Sequence, residues 1–254
     1  MKKRKAGIGI FVIVLIITAV RVKSMDSHRI SGRILAENIA GPGMMRLVEQ
    51  SMQAQAQKTS VTEIAVKEWK HPQAALTFDD GPDIRYTPLL LDGLKERNVR
   101  VSFFLLGEKV EQYPELVERM QKEGHLVGNH TYHHVQLDKL NETKAREEIL
   151  KTNNLIYETT GVYPLYLRPP FGAWKKNLEL CVEMLPVFWT IDTLDWKVKN
   201  TEKIVRTVKE QIEDGAIILM HDEYDTSVEA ALQVVDELKN QGFELVTVDQ
   251  LILP

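Results

Sequence analysis

Cysteine occurs once in 254 residues, at Cys181. One thiol excludes an intrachain disulfide and any zinc site built from several cysteines. Flanked by Leu178, Glu179, Leu180 and Val182, it reads as a small buried apolar side chain rather than a nucleophile. An excess of positive charge is also absent. The net charge of −4 leaves no polycationic footprint, so nucleic acid is not an expected partner. No G-x-S-x-G occurs, which removes the serine-elbow route to acyl transfer. A long hydrophobic run is missing too. The longest apolar stretch, residues 6–20, is 15 residues, short for a bilayer crossing at about 1.5 Å per residue unless its flanks snorkel.

The flanks of that stretch are informative. Lys2, Lys3, Arg4 and Lys5 precede it, and Arg21 and Lys23 follow it, the layout of a secretory signal. No small-x-small cleavage site follows, because Val20-Arg21-Val22-Lys23 is bulky and basic. Residues 1–23 therefore read as an uncleaved signal anchor, N-terminus inside, in preference to a cleaved peptide. Either way the bulk of the chain is expected outside the cytoplasm. Residues 24–71 carry no chemical motif. Their apolar residues recur at loosely helical spacing, broken by Gly41-Pro42-Gly43, as in a partly helical stalk between membrane and domain.

From residue 72 onward the chain alternates. Short apolar runs at 74–78, 101–106, 126–129, 165–168, 187–191, 216–220 and 244–248 read as strands. Helical patterns fill 87–97, 114–123, 141–160, 175–184, 201–213 and 226–241. Gly124, Gly161 and Gly242 stand at helix C-caps, Asn141 and Thr201 at N-caps. Strands alternating with helices mean a mainly parallel α/β sheet. Periodicity does not choose between an open sheet and a closed barrel, but the unusual residues do. Each cluster lies just past the C-terminal end of a predicted strand, and only in a barrel do those ends share one rim.

The first cluster is Thr77-Phe78-Asp79-Asp80-Gly81-Pro82. Two adjacent carboxylates repel, and a cation or a shared proton relieves the cost; a solvated loop is the plain alternative. In His130-Thr131-Tyr132-His133-His134, two imidazoles four residues apart lie within reach of one metal ion. A carboxylate from the first strand would complete a three-ligand site with an open position. His133 reads as an incidental surface histidine. Arg168-Pro169-Pro170-Phe171-Gly172 holds the Phe171 amide in a rigid frame suited to an oxyanion donor, and Arg168 could pair with a buried aspartate or form an ordinary structural salt bridge. Asp192-Thr193-Leu194-Asp195-Trp196 brings carboxylates that could orient His221 of Leu219-Met220-His221-Asp222 and raise its pKa, making it a proton donor.

These five ordered motifs resemble those of the polysaccharide deacetylases, the NodB-homology domain of carbohydrate esterase family 4. The resemblance spans residues 72–254. It implies Asp79 as catalytic base, and Asp80, His130 and His134 as ligands of one divalent metal ion, zinc first and cobalt or a similar ion second. It implies His221 as catalytic acid tuned by Asp195, and Arg168 as the group that holds Asp79. Through its amide Phe171 would join in stabilising the oxyanion, while Trp196 and Leu219 would line the pocket for the acetyl methyl. Family members often carry tyrosine where Phe171 stands; a backbone role survives that change and a hydroxyl role does not. The implied fold is a distorted (β/α) barrel of seven or eight units. The implied activity is N-deacetylation of an envelope polysaccharide, peptidoglycan N-acetylglucosamine first. N-acetylmuramic acid, chitooligosaccharides or O-acetyl glycans are alternatives, and a catalytically silent glycan-binding protein is the alternative from another class.

Overall fold

A computed structural model describes residues 71–174 and 184–252. The expected anchor, nearly all of the expected stalk, most of the helix expected at 175–184 and Cys181 lie outside the described residues. Among the described residues, no helix is long and apolar enough to cross a membrane.

The sheet is parallel throughout and runs in the order β5-β4-β3-β2-β1-β7-β6, with β8 added to β1. The strands are β1 (Gln73–Asp79), β2 (Ser102–Leu105), β3 (Leu126–Asn129), β4 (Tyr166–Leu167), β5 (Leu185–Pro186), β6 (Ile191–Asp192), β7 (Ala216–His221) and β8 (Glu244–Leu245). This is the distorted (β/α) barrel expected. β1 is its centre, with β7 paired along Ala74 to Asp79 on one side. On the other side β8 covers its start and β2 its end.

Alternation along the strands separates two cores. Ala74, Leu76 and Phe78 of β1 join Phe103 and Leu105 of β2 and Ala216, Ile218 and Met220 of β7 in the larger core. It is covered by Leu90, Leu91 and Leu94 of α1 (Thr87–Glu96), and by Val234, Val235 and Leu238 of the helix Asp225–Asn240. The opposite faces of β1 and β2 point into the barrel, where Ala75 and Phe104 meet Tyr166, Val187 and Val248. β1 is buried on both faces, which is why it reads as a continuous apolar run rather than an alternating one.

The remaining helices are α2 (Gly107–Gln112), α3 (Pro114–Lys122), α4 (Glu142–Thr160), α5 (Asp195–Val198), α6 (Thr201–Gln211), α7 (Asp225–Asn240) and α8 (Val248–Ile252). Asn141 caps α4 by accepting from Lys144 N, and Gly161 closes it in the left-handed region at φ 72°, as expected. Three expectations shift. The cap of α6 is Asn200, which accepts from Lys203 N, one residue before the expected Thr201. Of the strand expected at 187–191 only Ile191 is in a strand, at the start of β6; β5 ends at Pro186, and between them the carbonyls of Val187 and Phe188 accept from the Arg168 guanidinium. The strand expected to reach residue 248 stops at Leu245, and Val248 N donates to Ser102 Oγ at the start of α8.

Candidate active site

Strand register brings four of the predicted groups together. Asp79, the last residue of β1, lies opposite His221, the last residue of β7. Asn129 of β3 lies opposite Leu167 of β4, so His130 and Arg168 leave the sheet side by side. Beyond these ends the chain turns through left-handed conformations at Asp80 (φ 70°), Thr131 (φ 67°), His134 (φ 55°), Phe171 (φ 60°) and Leu194 (φ 51°). None is glycine. Such positions cost of order 1–3 kcal/mol each and collect where side chains must be aimed.

The tandem aspartates part company at this turn. Asp79 is buried, and its Oδ1 accepts from Arg168 Nη1 at 2.8 Å. Arg168, wholly buried, also donates to Thr77 Oγ1 at 2.7 Å and lies 4.2 Å above the Phe104 ring. Burial pushes the Asp79 carboxyl above its ordinary value, and the neighbouring Arg168 and His221 only partly offset this. Arg168 is displaced downward by its own burial. Both partners shift toward neutrality, so desolvation outweighs their attraction. The pair thus fixes geometry more than it contributes stability.

Asp80 faces the other way. Its Oδ1 stands 3.4 Å from His130 Nε2 and 3.5 Å from His134 Nε2. It is buried without a hydrogen-bond partner. The three ligand atoms lie within 4.8 Å of one another. Bonds of about 2.0–2.1 Å in a tetrahedral site place ligand atoms about 3.3–3.4 Å apart, so the set fits one divalent ion of zinc's size. The tautomer fits as well. His130 Nδ1 lies 2.6 Å from the Arg168 carbonyl, which can only accept, so Nδ1 carries the hydrogen and Nε2 presents its lone pair. Burial depresses His130 to about 3, keeping the imidazole neutral as a metal ligand must be.

Across the rim His221 Nδ1 meets Asp195 Oδ1 at 2.8 Å, and its Nε2 points to within 3.8 Å of Asp80 Oδ2. Asp195 Oδ2 accepts from the His221 amide at 2.8 Å and from Ser227 Oγ at 2.7 Å. Burial opposes the charge on His221, but the Asp195 hydrogen bond and the charges of Asp195, Asp79 and Asp80 carry it up to about 9. Burial likewise opposes the charge on Asp195, yet its bonds to His221 and Ser227 prevail and hold it below the usual carboxylate range.

The rim is completed by exposed apolar groups. The Phe171 ring packs 4.6 Å from that of His134 and is 66% exposed. Trp196 is 47% exposed, whereas Leu219 is buried in β7. All ten predicted site residues lie at or beside this rim. The sequence reading passed over several of their supports. Thr77 bonds Arg168 from within the first motif, and Ser227 reaches Asp195 from α7. Asp222 is buried beside Gly81, where a Cβ would come within 2.4 Å of its Oδ1. Glu148 of α4 bonds the histidine turn. Thr77 and Asp222 stood within the quoted motifs without a role; nothing local distinguishes Glu148 from its neighbour Glu147.

The sequence pattern of the polysaccharide deacetylase family matches residues 67–188. The chain is 42% identical over 177 residues to the peptidoglycan-N-acetylglucosamine deacetylase PgdA of Listeria monocytogenes, a match spanning 70% of this chain and 38% of that protein. It is 40% identical over 186 residues to a peptidoglycan-N-acetylglucosamine deacetylase of Bacillus cereus, spanning 70% of this chain and 68% of that one. The peptidoglycan-N-acetylmuramic acid deacetylase PdaC of Bacillus subtilis is 42% identical over 177 residues, spanning 70% of this chain and 38% of PdaC. Its solved structure superposes with a TM-score of 0.70 over 72% of this chain and 91% of the solved one, at 41% identity. On sequence, fold and the arrangement of the rim together, the chain belongs to the polysaccharide deacetylase family.

Proposed function

We propose that this chain hydrolyses the N-acetyl group of amino sugars in a cell-envelope polysaccharide, with peptidoglycan N-acetylglucosamine as first substrate. The products are acetate and a free amino sugar. The observation that carries this reading is the division of labour between adjacent carboxylates: Asp79 is tied to Arg168, and Asp80 faces two imidazole nitrogens. N-acetylmuramic acid is the second reading, supported by the likeness to PdaC.

Asp80, His130 and His134 would hold a divalent ion, zinc first, which supplies Lewis-acid polarisation of the acetyl carbonyl and a more acidic water. Arg168 occupies Asp79 Oδ1, while Oδ2 accepts no hydrogen bond among the described residues and has His130 Nε2 3.7 Å away, so Oδ2 takes the proton of the attacking water. Its raised pKa makes it a better base than an ordinary surface carboxylate. The Phe171 amide donates to the carbonyl oxygen as negative charge develops there. Protonated at Nε2 and held at Nδ1 by Asp195, His221 gives its proton to the departing nitrogen as the carbon–nitrogen bond breaks. Trp196 and Leu219 exclude water around the acetyl methyl. No covalent bond to the protein is needed.

An uncleaved anchor in residues 1–23 would keep the catalytic domain outside the cytoplasm and within reach of the wall, a reading supported by the basic flanks and the missing cleavage site. Fractionation of expressing cells followed by external protease tests it; a protease-inaccessible domain or a free soluble protein would count against it. The activity is tested by mass spectrometry of muropeptides treated with the full chain, with and without a chelator. Loss of one acetyl from glucosamine, abolished by the chelator and restored by zinc, is expected. Unchanged muropeptides with zinc-supplied protein would sink the reading, and loss from muramic acid alone would replace the first substrate by the second.

A further inference from the structure

His133, between the two histidines that face Asp80, was expected to be incidental. Its side chain is 58% exposed, yet its Nδ1 lies 2.8 Å from Glu148 Oε1. The other oxygen of Glu148 accepts two consecutive backbone N–H groups, from Tyr132 at 3.0 Å and His133 at 2.9 Å. These are the two residues spanned by the left-handed Thr131 and His134. Consecutive amides converging on one acceptor form an anion-binding nest, and here the anion is a side chain of α4, only 16% exposed.

The same helix grips the start of the turn. Asn129 Nδ2 donates to the Ile149 carbonyl at 2.9 Å and to Asn153 Oδ1 at 2.6 Å, and Asn129 Oδ1 accepts from Thr131 N at 2.6 Å. One face of α4 therefore holds the segment from Asn129 to His133 at four backbone or side-chain points, all between or beside the two imidazoles. The His130 and His134 rings end 5.1 Å apart, a separation that the turn's conformation sets, since neither positive-φ residue is glycine and an unsupported turn would relax toward ordinary angles.

We propose that Glu148 is a positioning residue: its carboxylate templates the turn and thereby presents His130 and His134 to one ion. This rests on the reading of Asp80, His130 and His134 as a metal site. Glu148 touches none of the three, so it acts on the ion only through the backbone between them.

The test uses the full chain with Glu148→Ala, Glu148→Gln and, as a matched control on the exposed side of the same helical turn, Glu147→Ala. Zinc affinity is read by competition with a chelating dye, and hydrogen exchange is read at Tyr132 and His133 in the metal-free parent. Loss of a supporting partner of this kind costs on the order of 10- to 100-fold in metal affinity, and that is expected for Glu148→Ala. Glu148→Gln retains parent affinity within roughly threefold, because its amide oxygen still accepts both N–H groups. Glu147→Ala is unchanged. Parent-like affinity in Glu148→Ala, or equal weakening in Glu147→Ala, overturns the proposal; so does equal loss in Glu148→Gln, which would point to bulk charge instead of hydrogen bonding. If Glu148→Ala does not fold, the exchange measurement decides: unprotected Tyr132 and His133 amides overturn it. A parent that binds no zinc would refute the metal reading, while the exchange arm would still report on the clamp.

Discussion

Arg168 Nη1 and Asp79 Oδ1 meet at 2.8 Å with side chains 0% and 4% exposed, and each partner is shifted by burial toward its neutral form. Such a pair is expensive to break and contributes little when whole. Arg168→Met should therefore destabilise the fold by about 3–5 kcal/mol at neutral pH. Without the cation, Asp79 titrates still higher, so the loss grows as pH rises through that value and shrinks in acid. Arg168→Met combined with Asp79→Leu should recover much of the stability while remaining inactive. Urea melts of the single variant within 1 kcal/mol of the parent, a change ordinary for a surface site, would show that the pair is not energetically coupled.

The two aspartates should separate in mutagenesis as they do in space. Asp79→Asn is expected to lower kcat by about 10²–10⁴-fold, the usual worth of a positioned general base, and to bind zinc as the parent does. His130→Ala is expected to lose both zinc and turnover. Steady-state rates of acetate release, paired with metal analysis of the dialysed proteins, check this. An Asp79→Asn enzyme with near-parent kcat would refute the assignment of the base.

His221 donates only while protonated, and Asp195 is the principal group raising it toward about 9 against the effect of burial. Asp195→Asn removes that charge, so the alkaline limb of the kcat profile should move to lower pH. Stability follows the same sign. A histidine raised in the folded state contributes fully below its ordinary value of 6.5 and loses the contribution as pH rises through about 9. Asp195→Asn should thus cost more stability at pH 6 than at pH 10. An alkaline limb unmoved by the substitution would exclude Asp195 as the tuning group.

Asp222 offers a test away from the reacting atoms. It is buried beneath the Asp80-Gly81 turn, receives the Thr87 hydroxyl on Oδ2, and has no partner on Oδ1. Burial raises its carboxyl from 3.8 to about 7. A raised acid favours the fold below its unfolded value and loses that advantage as pH climbs to the folded one. Across pH 4–7 the stability of Asp222→Asn should accordingly fall less, or rise more, than that of the parent. The difference between the two proteins is the readout, because neutral His125 and His130, depressed by burial to about 4 and about 3, pull the other way in the same acid range. Parallel stability curves would mean that Asp222 does not titrate there.

Much of this architecture was legible along the chain, for local reasons. Short apolar runs, caps such as Asn141 and Gly161, and the alternation of strands with helices depend on neighbours within one or two turns. The ten candidate site residues could be singled out because their motifs lie at or just past predicted strand ends, and parallel strands deliver their C-terminal ends to one rim. Other features depend on contacts between distant segments. Residues 187–190, expected in a strand, leave the ladder where the Val187 and Phe188 carbonyls accept from the Arg168 guanidinium, about 20 residues away in the chain. The identity of Glu148 as the group that holds the histidine turn follows from how α4 packs beside β3, since Glu147 and Glu148 are indistinguishable until one of them faces inward. By itself the sequence determined which groups are candidates for the chemistry. Tertiary structure decided which further groups support them, Thr77 on Arg168, Ser227 on Asp195 and Glu148 on the histidine turn, because register and packing act across distances that no local pattern encodes.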